Sequence, residues 1–242
     1  MSMQTEIESG QYRHLVAHLS ADPGNEVVFL TEREDRAMAG VKKIVYKTSR
    51  APSRNNHHYL YRVEHAVLRG QAVAREALKL RTAGFVPDIM IGHNAWGEIL
   101  YLKDVFPDVP LLGYFEFFRK PRGGCIDFDP EFPSDINTRF KLRTLGSVDL
   151  LGLNAADWGQ TATEWQRSQH PACYQDMISV VHEGIDTDVV RPDPDARLVV
   201  DGKTIGDRPR LSDKLYCLQA RIESPTSCHA APASPSPGFR FT

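Results

Sequence analysis

Residues 87–118, PDIMIGHNAWGEILYLKDVFPDVPLLGYFEFF, constrain this chain more than any other stretch, because they read as strand, polar loop, helix and second strand. Residues 88–91 are a short, nearly continuous apolar run after Pro87, the pattern of a buried parallel strand. The run ends abruptly in Gly92, His93 and Asn94. Gly97 and Glu98 are expected to open a helix whose Ile99, Leu100 and Leu102 pack on the sheet, and residues 110–115 form the next strand, with Glu116 at its carboxyl end. This is a βαβ unit with polar groups at the carboxyl ends of its strands, where ligands bind in open α/β sheets.

The same alternation extends along the chain. Residues 11–20 place Tyr12, Leu15, Val16 and Leu19 on one helical face, and strands are expected at 26–30 and 41–46. Residues 58–81 read as a long helix with Leu60, Val63, Ala66, Val67 and Leu78 as candidate core residues, ending before Gly84 and Pro87. Further on, a helix is expected at 134–145, a strand at 149–153, a helix at 161–167 and a strand at 177–181. Alternating strands and helices over roughly this length predict a Rossmann-like α/β fold with a doubly wound parallel sheet.

Composition narrows the function classes. A formal charge of -2 across 242 residues gives no global electrostatic reason to expect nucleic acid, and no apolar run is long enough to span a bilayer. Peripheral membrane contact stays open. The opening MSMQTEIESG has neither the basic start nor the apolar centre of a secretory leader, which predicts a cytoplasmic protein. Cys125, Cys173, Cys217 and Cys228 lie far apart, so four ordinary thiols are expected rather than a zinc site or a disulfide framework. His57, His58 and His65 lack carboxylates at matching spacing and read as a solvated helix face; no metal site and no cofactor are expected. Residues 224–242, SPTSCHAAPASPSPGFRFT, carry no acidic residue and no periodicity and read as a disordered tail.

Four segments together resemble the retaining family-4 glycosyltransferases, nucleotide-sugar enzymes of GT-B architecture with two Rossmann-like domains facing across a cleft. They are Gly10-Gln11-Tyr12-Arg13-His14-Leu15, the unit at 87–118, Ala156-Asp157-Trp158-Gly159-Gln160 with Thr163-Glu164-Trp165-Gln166, and Val180-Val181-His182-Glu183-Gly184-Ile185-Asp186 followed by Arg191-Pro192. The resemblance covers roughly residues 10–207 and implies that residues 1–206 are the acceptor-side domain, with 207–242 a tail foreign to the family. It also marks departures. Family members open with an apolar strand, whereas residues 1–9 offer only Met1, Met3 and Ile7, so the first, central strand is expected to be lost or replaced. The donor domain would follow Gly206, and the chain is expected to be truncated at both ends.

By this resemblance His93 is the catalytic candidate, facing the sugar at a strand's carboxyl end, where an imidazole hydrogen-bonds hydroxyls or shifts a proton; a capping histidine in a loop is the alternative. Asn94, Trp96, Glu98 and Glu116 are candidate acceptor-binding residues. Three have a plainer reading, Asn94 as a helix N-cap, Glu98 as a first-turn acid and Glu116 as a surface partner of Arg119 or Lys120, while Trp96 is expected at the cleft because it adjoins the polar loop. His182, Glu183, Gly184 and Asp186 are assigned to the interdomain cleft, or to a hinge that only redirects the chain. The expected activity is transfer of a sugar from a nucleotide-sugar donor to an acceptor hydroxyl, on a sugar or glycan acceptor, with this polypeptide inactive alone because the donor domain is missing. The alternative is a stand-alone acceptor- or glycan-binding module, or one subunit of a split glycosyltransferase.

Overall fold

The computed structural model describes residues 10–34, 39–124, 126–127, 129–188, 190–191, 198–200 and 203–205. Residues 1–9 and the expected tail at 207–242 lie outside these. The chain divides into two compact units, Met1–Glu183 and Gly184–Thr242. In the second unit the described residues form an antiparallel pair, with Leu198–Val200 against Lys203–Ile205.

In the first unit a short 3-10 turn, Gly10–Tyr12, leads into helix α1 (Arg13–Ser20). Strands β1 (Val27–Thr31) and β2 (Val41–Val45) follow, paired in parallel with Val27 opposite Val41. Helix α2 (Tyr61–Thr82) then leads to β3 (Met90–His93), the short helix α3 (Leu102–Val105) and β4 (Leu111–Tyr114). Helix α4 (Ile136–Ala155), β5 (Trp158–Thr161), helices α5 (Glu164–Gln169) and α6 (Ala172–Gln175), and β6 (Ile178–Val180) complete it.

The α/β expectation holds, and every strand pairing in this unit is parallel. The ladder runs in two pieces, a two-stranded β1-β2 sheet and a four-stranded sheet in the order β3-β4-β5-β6. Among the described residues no strand joins the two. They are tied instead by side chains: Tyr46 buries against Ala72 and Val73 of α2, with Leu30 of β1 and Leu102 of α3 packed alongside. The main core lies on the larger sheet, where Met90, Leu111, Phe115 and Ile178 meet Ala77 of α2, Leu153 of α4, and Ile99 and Phe106.

Three sequence expectations change. The long helix buries Ala66 and half-buries Val63 as expected, but Leu60, Val67 and Leu78 are exposed, whereas Leu68, Ala72, Val73, Ala77 and Leu80 are buried. Small residues carry this buried stripe because α2 lies close to its neighbours. A Cβ on Gly70 would stand 2.6 Å from the Gly97 carbonyl oxygen. The expected strand at 149–153 is instead the last part of α4. Leu145, Val148, Asp149, Gly152 and Leu153 are buried at helical spacing, and Gly146 and Gly152 are points of close approach to Arg119 and Asn94. The real strand, β5, is nearly devoid of large apolar side chains, since Phe115 fills the space beside Gly113 and Gly159. Finally, residues 97–101 form turns, and the helix expected there is confined to Leu102–Val105.

Helix starts follow the sequence chemistry. Asp135 caps α4 by accepting the Thr138 N–H at 2.6 Å, and Thr163 caps α5 by accepting the Gln166 N–H at 3.1 Å.

Candidate functional site

His93 ends β3, directly opposite Tyr114 at the end of β4, and the two rings lie 5.1 Å apart. Its Nδ1 accepts the Ala95 N–H at 3.0 Å, which places the proton of the neutral ring on Nε2. Nε2 lies 3.4 Å from Glu116 Oε2, within ion-pair range, yet it is buried and makes no hydrogen bond. His93 and Glu116 are therefore brought together at the carboxyl ends of adjacent strands, as the βαβ reading requires.

Glu98 sits in the turn after β3. Its Oε1 accepts from Tyr46 Oη at 3.0 Å, while Oε2 is buried with no partner. Burial pushes its carboxyl above the usual carboxylate value, against the pull of Arg69 and the Tyr46 hydroxyl. Tyr12 completes the group. Its hydroxyl is buried and unpartnered, its ring meets Tyr114 edge-on at 6.4 Å, and burial pushes its phenol far up, helped by Glu98 and Glu183. Tyr114 donates to Glu183 Oε1. Burial raises the phenols of Tyr46 and Tyr114 too, with neighbouring carboxylates adding to it. Tyr12, Tyr46 and Tyr114 were not marked as site residues by sequence reasoning. Position was the available signal, since Tyr114 ends β4, Tyr46 directly follows β2 and Tyr12 lies in the Gly10 to Leu15 segment.

A carboxyl with a raised folded pKa binds its proton more tightly folded than unfolded. Its stabilising contribution is present at acid pH and is lost as pH rises from about 4.3 through the raised folded value. Glu98→Gln keeps an acceptor for Tyr46 and removes this titration. It is expected to raise the melting temperature at neutral pH by a few degrees and to leave it nearly unchanged at acid pH. Parallel thermal melts of both proteins across that range check this, and a destabilised variant at neutral pH contradicts it.

Asn94 turns inward. It is 3% exposed, its Nδ2 donates to the Asp149 carbonyl at 3.2 Å, and it does not cap α3, whose N-cap is Tyr101. Beneath it, Arg119 and Asp149 form a buried ion pair, and the Arg119 N–H also donates to Asp149 Oδ2 at 2.9 Å. Arg119 Nη2 reaches the Ala95 carbonyl at 3.3 Å, so this pair grips the loop that carries His93. Trp96 is half-buried, with the Arg69 guanidinium 5.6 Å from its ring centre. His182 and Glu183 follow β6, whereas Gly184 and Asp186 belong to the second unit. There Gly184 has a φ of 81° and Asp186 accepts the Asp188 N–H at 3.0 Å.

A family model described as Glycosyl transferase family 4 group matches residues 23–190, more than two thirds of the chain. The chain belongs to this family. No curated protein matches it. The family-4 match spans β1 through β6 and so includes His93, Glu98, Glu116 and Glu183, while Tyr12 lies just before it. Among the described residues no helix of this glycosyltransferase-family chain is long and apolar enough to cross a membrane. Nor do any three His, Cys, Asp or Glu side chains among them gather as a metal site, and Cys173 is a free, exposed thiol.

Proposed function

We propose that the first unit is the acceptor-binding half of a retaining glycosyltransferase, which moves a sugar from a nucleotide-sugar donor to a hydroxyl of a sugar or glycan. The observation that carries this reading is the convergence of three buried, unpartnered polar atoms, His93 Nε2 and Glu98 Oε2 from the end of β3 and the turn after it, and Tyr12 Oη from the turn before α1. Buried polar groups are normally satisfied, and a polyhydroxylated ligand supplies the missing donors and acceptors at once.

Roles follow from the hydrogen bonding. With its proton on Nε2, His93 donates to the acceptor oxygen and holds it, and Glu116, 3.4 Å from Nε2, is placed to receive the hydroxyl proton. Glu98 accepts from a second hydroxyl. Asn94 is a positioning residue, locking the loop to α4, and His182 and Glu183 line the side from which the donor approaches. The departing diphosphate needs basic groups and helix N-termini, which we assign to a donor domain, so the first unit by itself is expected to transfer little.

Calorimetric titration with a panel of sugars and nucleotide sugars tests the reading. A neutral sugar acceptor is expected to bind, and His93→Ala or Glu98→Ala to weaken it by about 10- to 100-fold, the loss of one or two buried hydrogen bonds, with melting behaviour retained. Tight nucleotide-sugar binding that both substitutions weaken would place the donor here instead.

A further inference from the structure

Tyr114 stands between two members of the candidate site and is tied to a distant part of the chain. It is 3% exposed, its ring lies 5.1 Å from the His93 ring, and Tyr12 meets it edge-on at 6.4 Å. Its carbonyl accepts the Asn94 N–H at 3.1 Å, which fixes the backbone just past His93. The His93 ring itself is located by the Ala95 N–H on Nδ1, by Glu116 near Nε2 and by the Tyr114 ring. The Tyr114 hydroxyl donates to the Glu183 carboxylate, a charge-assisted bond. Glu183 arrives from β6, which lies two strands from β4, about 10 Å away. The chain reaches Tyr114 by bending back over the carboxyl end of β5, where Gln160 Nε2 donates to the Val181 carbonyl at 3.1 Å. Glu183 also lies close enough to Tyr12 to help raise its phenol. It is the last residue of the first unit, and Gly184, with a φ of 81°, follows it.

We infer that Tyr114 and Glu183 are positioning residues for His93, and that the orientation of the His93 ring depends on where the chain leaves the first unit. A buried hydroxyl that loses its acceptor turns toward another one or stays unsatisfied. When the Tyr114 ring turns, the surface on which the His93 imidazole rests moves with it. The catalytic meaning of that orientation rests on the acceptor reading, whereas the coupling is a property of the free protein.

Nuclear magnetic resonance of the histidine rings in the intact chain tests the coupling, with His93 assigned by the signal lost in His93→Gln. Tyr114→Phe keeps the ring and its ring current, so a moved His93 signal reports displacement. Glu183→Ala is expected to move that signal in the same sense and the double variant to move it no further, while Glu183→Gln, which still accepts from the hydroxyl, stays near the parent. His57 and His58, stacked on each other before α2, are expected to keep their signals throughout. Amide exchange at residues 181–183 is expected to quicken about 5- to 10-fold in Tyr114→Phe and Glu183→Ala, the loss of one hydrogen bond to a charged group. Glu183 is exposed, so its variants carry the test where Tyr114→Phe fails to fold. An unmoved His93 signal in Glu183→Ala, or unchanged exchange at 181–183, overturns the coupling. Equal shifts in Glu183→Gln and Glu183→Ala overturn it too, since they trace to charge rather than to the bond, and so do additive shifts in the double variant. If the coupling is found and no sugar binds in the calorimetric panel, the acceptor reading falls and the coupling stands.

Discussion

Replacing Asp149 with alanine is expected to lower the melting temperature by about 10 °C or more, the largest effect of any single change outside the hydrophobic core. Asp149 is 1% exposed and Arg119 is 6% exposed, so the substitution leaves a guanidinium buried without its counter-charge. Breaking one side of such a pair costs about 3–5 kcal/mol, and each kcal/mol shifts melting by about 2–4 °C in a domain of this size. Two further bonds go with it. The Arg119 N–H loses its acceptor, and Arg119 Nη2 loosens from the Ala95 carbonyl. The damage should therefore appear at His93 as well, as weaker sugar binding in whatever fraction remains folded. Asp149→Asn keeps an acceptor for the backbone N–H and should fall between the two. A melting loss below about 1 kcal/mol, typical of exposed ion pairs, would show that the pair is not buried as described.

Gly97→Ala is expected to be nearly as severe, about 3 kcal/mol, from two independent causes. Gly97 has a φ of 94°, where an L side chain is strained, and its Cβ would stand 2.3 Å from the Ala66 carbonyl oxygen of α2. The obstacle is backbone, so the whole turn has to lift away, and Glu98 and Ile99 lift with it. Denaturant unfolding read beside sugar binding separates the outcomes. A variant that is destabilised and binds weakly fits this geometry, whereas one of parental stability contradicts it.

How much of this was legible in the sequence depended on where the physical signal was local. Strand β3 and the His93 loop announced themselves through an apolar run that stops at Gly92, and β4 did the same through its own run, with Glu116 following. Strand β5 did not, because its Trp158, Gly159, Gln160 and Thr161 are chosen by Phe115 and Ile178 across the sheet rather than by an alternating pattern. Residues 149–153 misled for the related reason that an apolar run with glycines fits strand or helix until its partner is known. Gly152 is there because Asn94 occupies the space of its side chain, with Oδ1 1.6 Å from where a Cβ would be. On α2 the sequence reading found Ala66 but chose Leu60, Val67 and Leu78 over Leu68, Val73 and Leu80, because the closely packed face is fixed by small residues, Gly70, Ala72 and Ala77, that carry little hydrophobic signal. In the candidate site, His93, Glu98 and Glu116 could be named from position. Tyr12, Tyr46 and Arg69 enter from other segments, and only tertiary packing brings them in.

The divided ladder has its own thermodynamic weight. A two-stranded sheet is marginal in isolation, so β1 and β2 depend on Leu30 and Tyr46 packing against α2 and α3, and on the Glu32 to Arg69 ion pair. The same contacts hold the partners of the candidate site, because Tyr46 satisfies Glu98 and Glu32 orients Arg69. Among the described residues the β1-β2 pair is the smaller of the two parallel sheets, and it is expected to open locally before the larger one, releasing Tyr46 and Glu32 from the site, an order that amide exchange would read. A ligand that engages Glu98 in this arrangement draws its linkage energy from that local equilibrium, and so tightens a sheet that it need not touch.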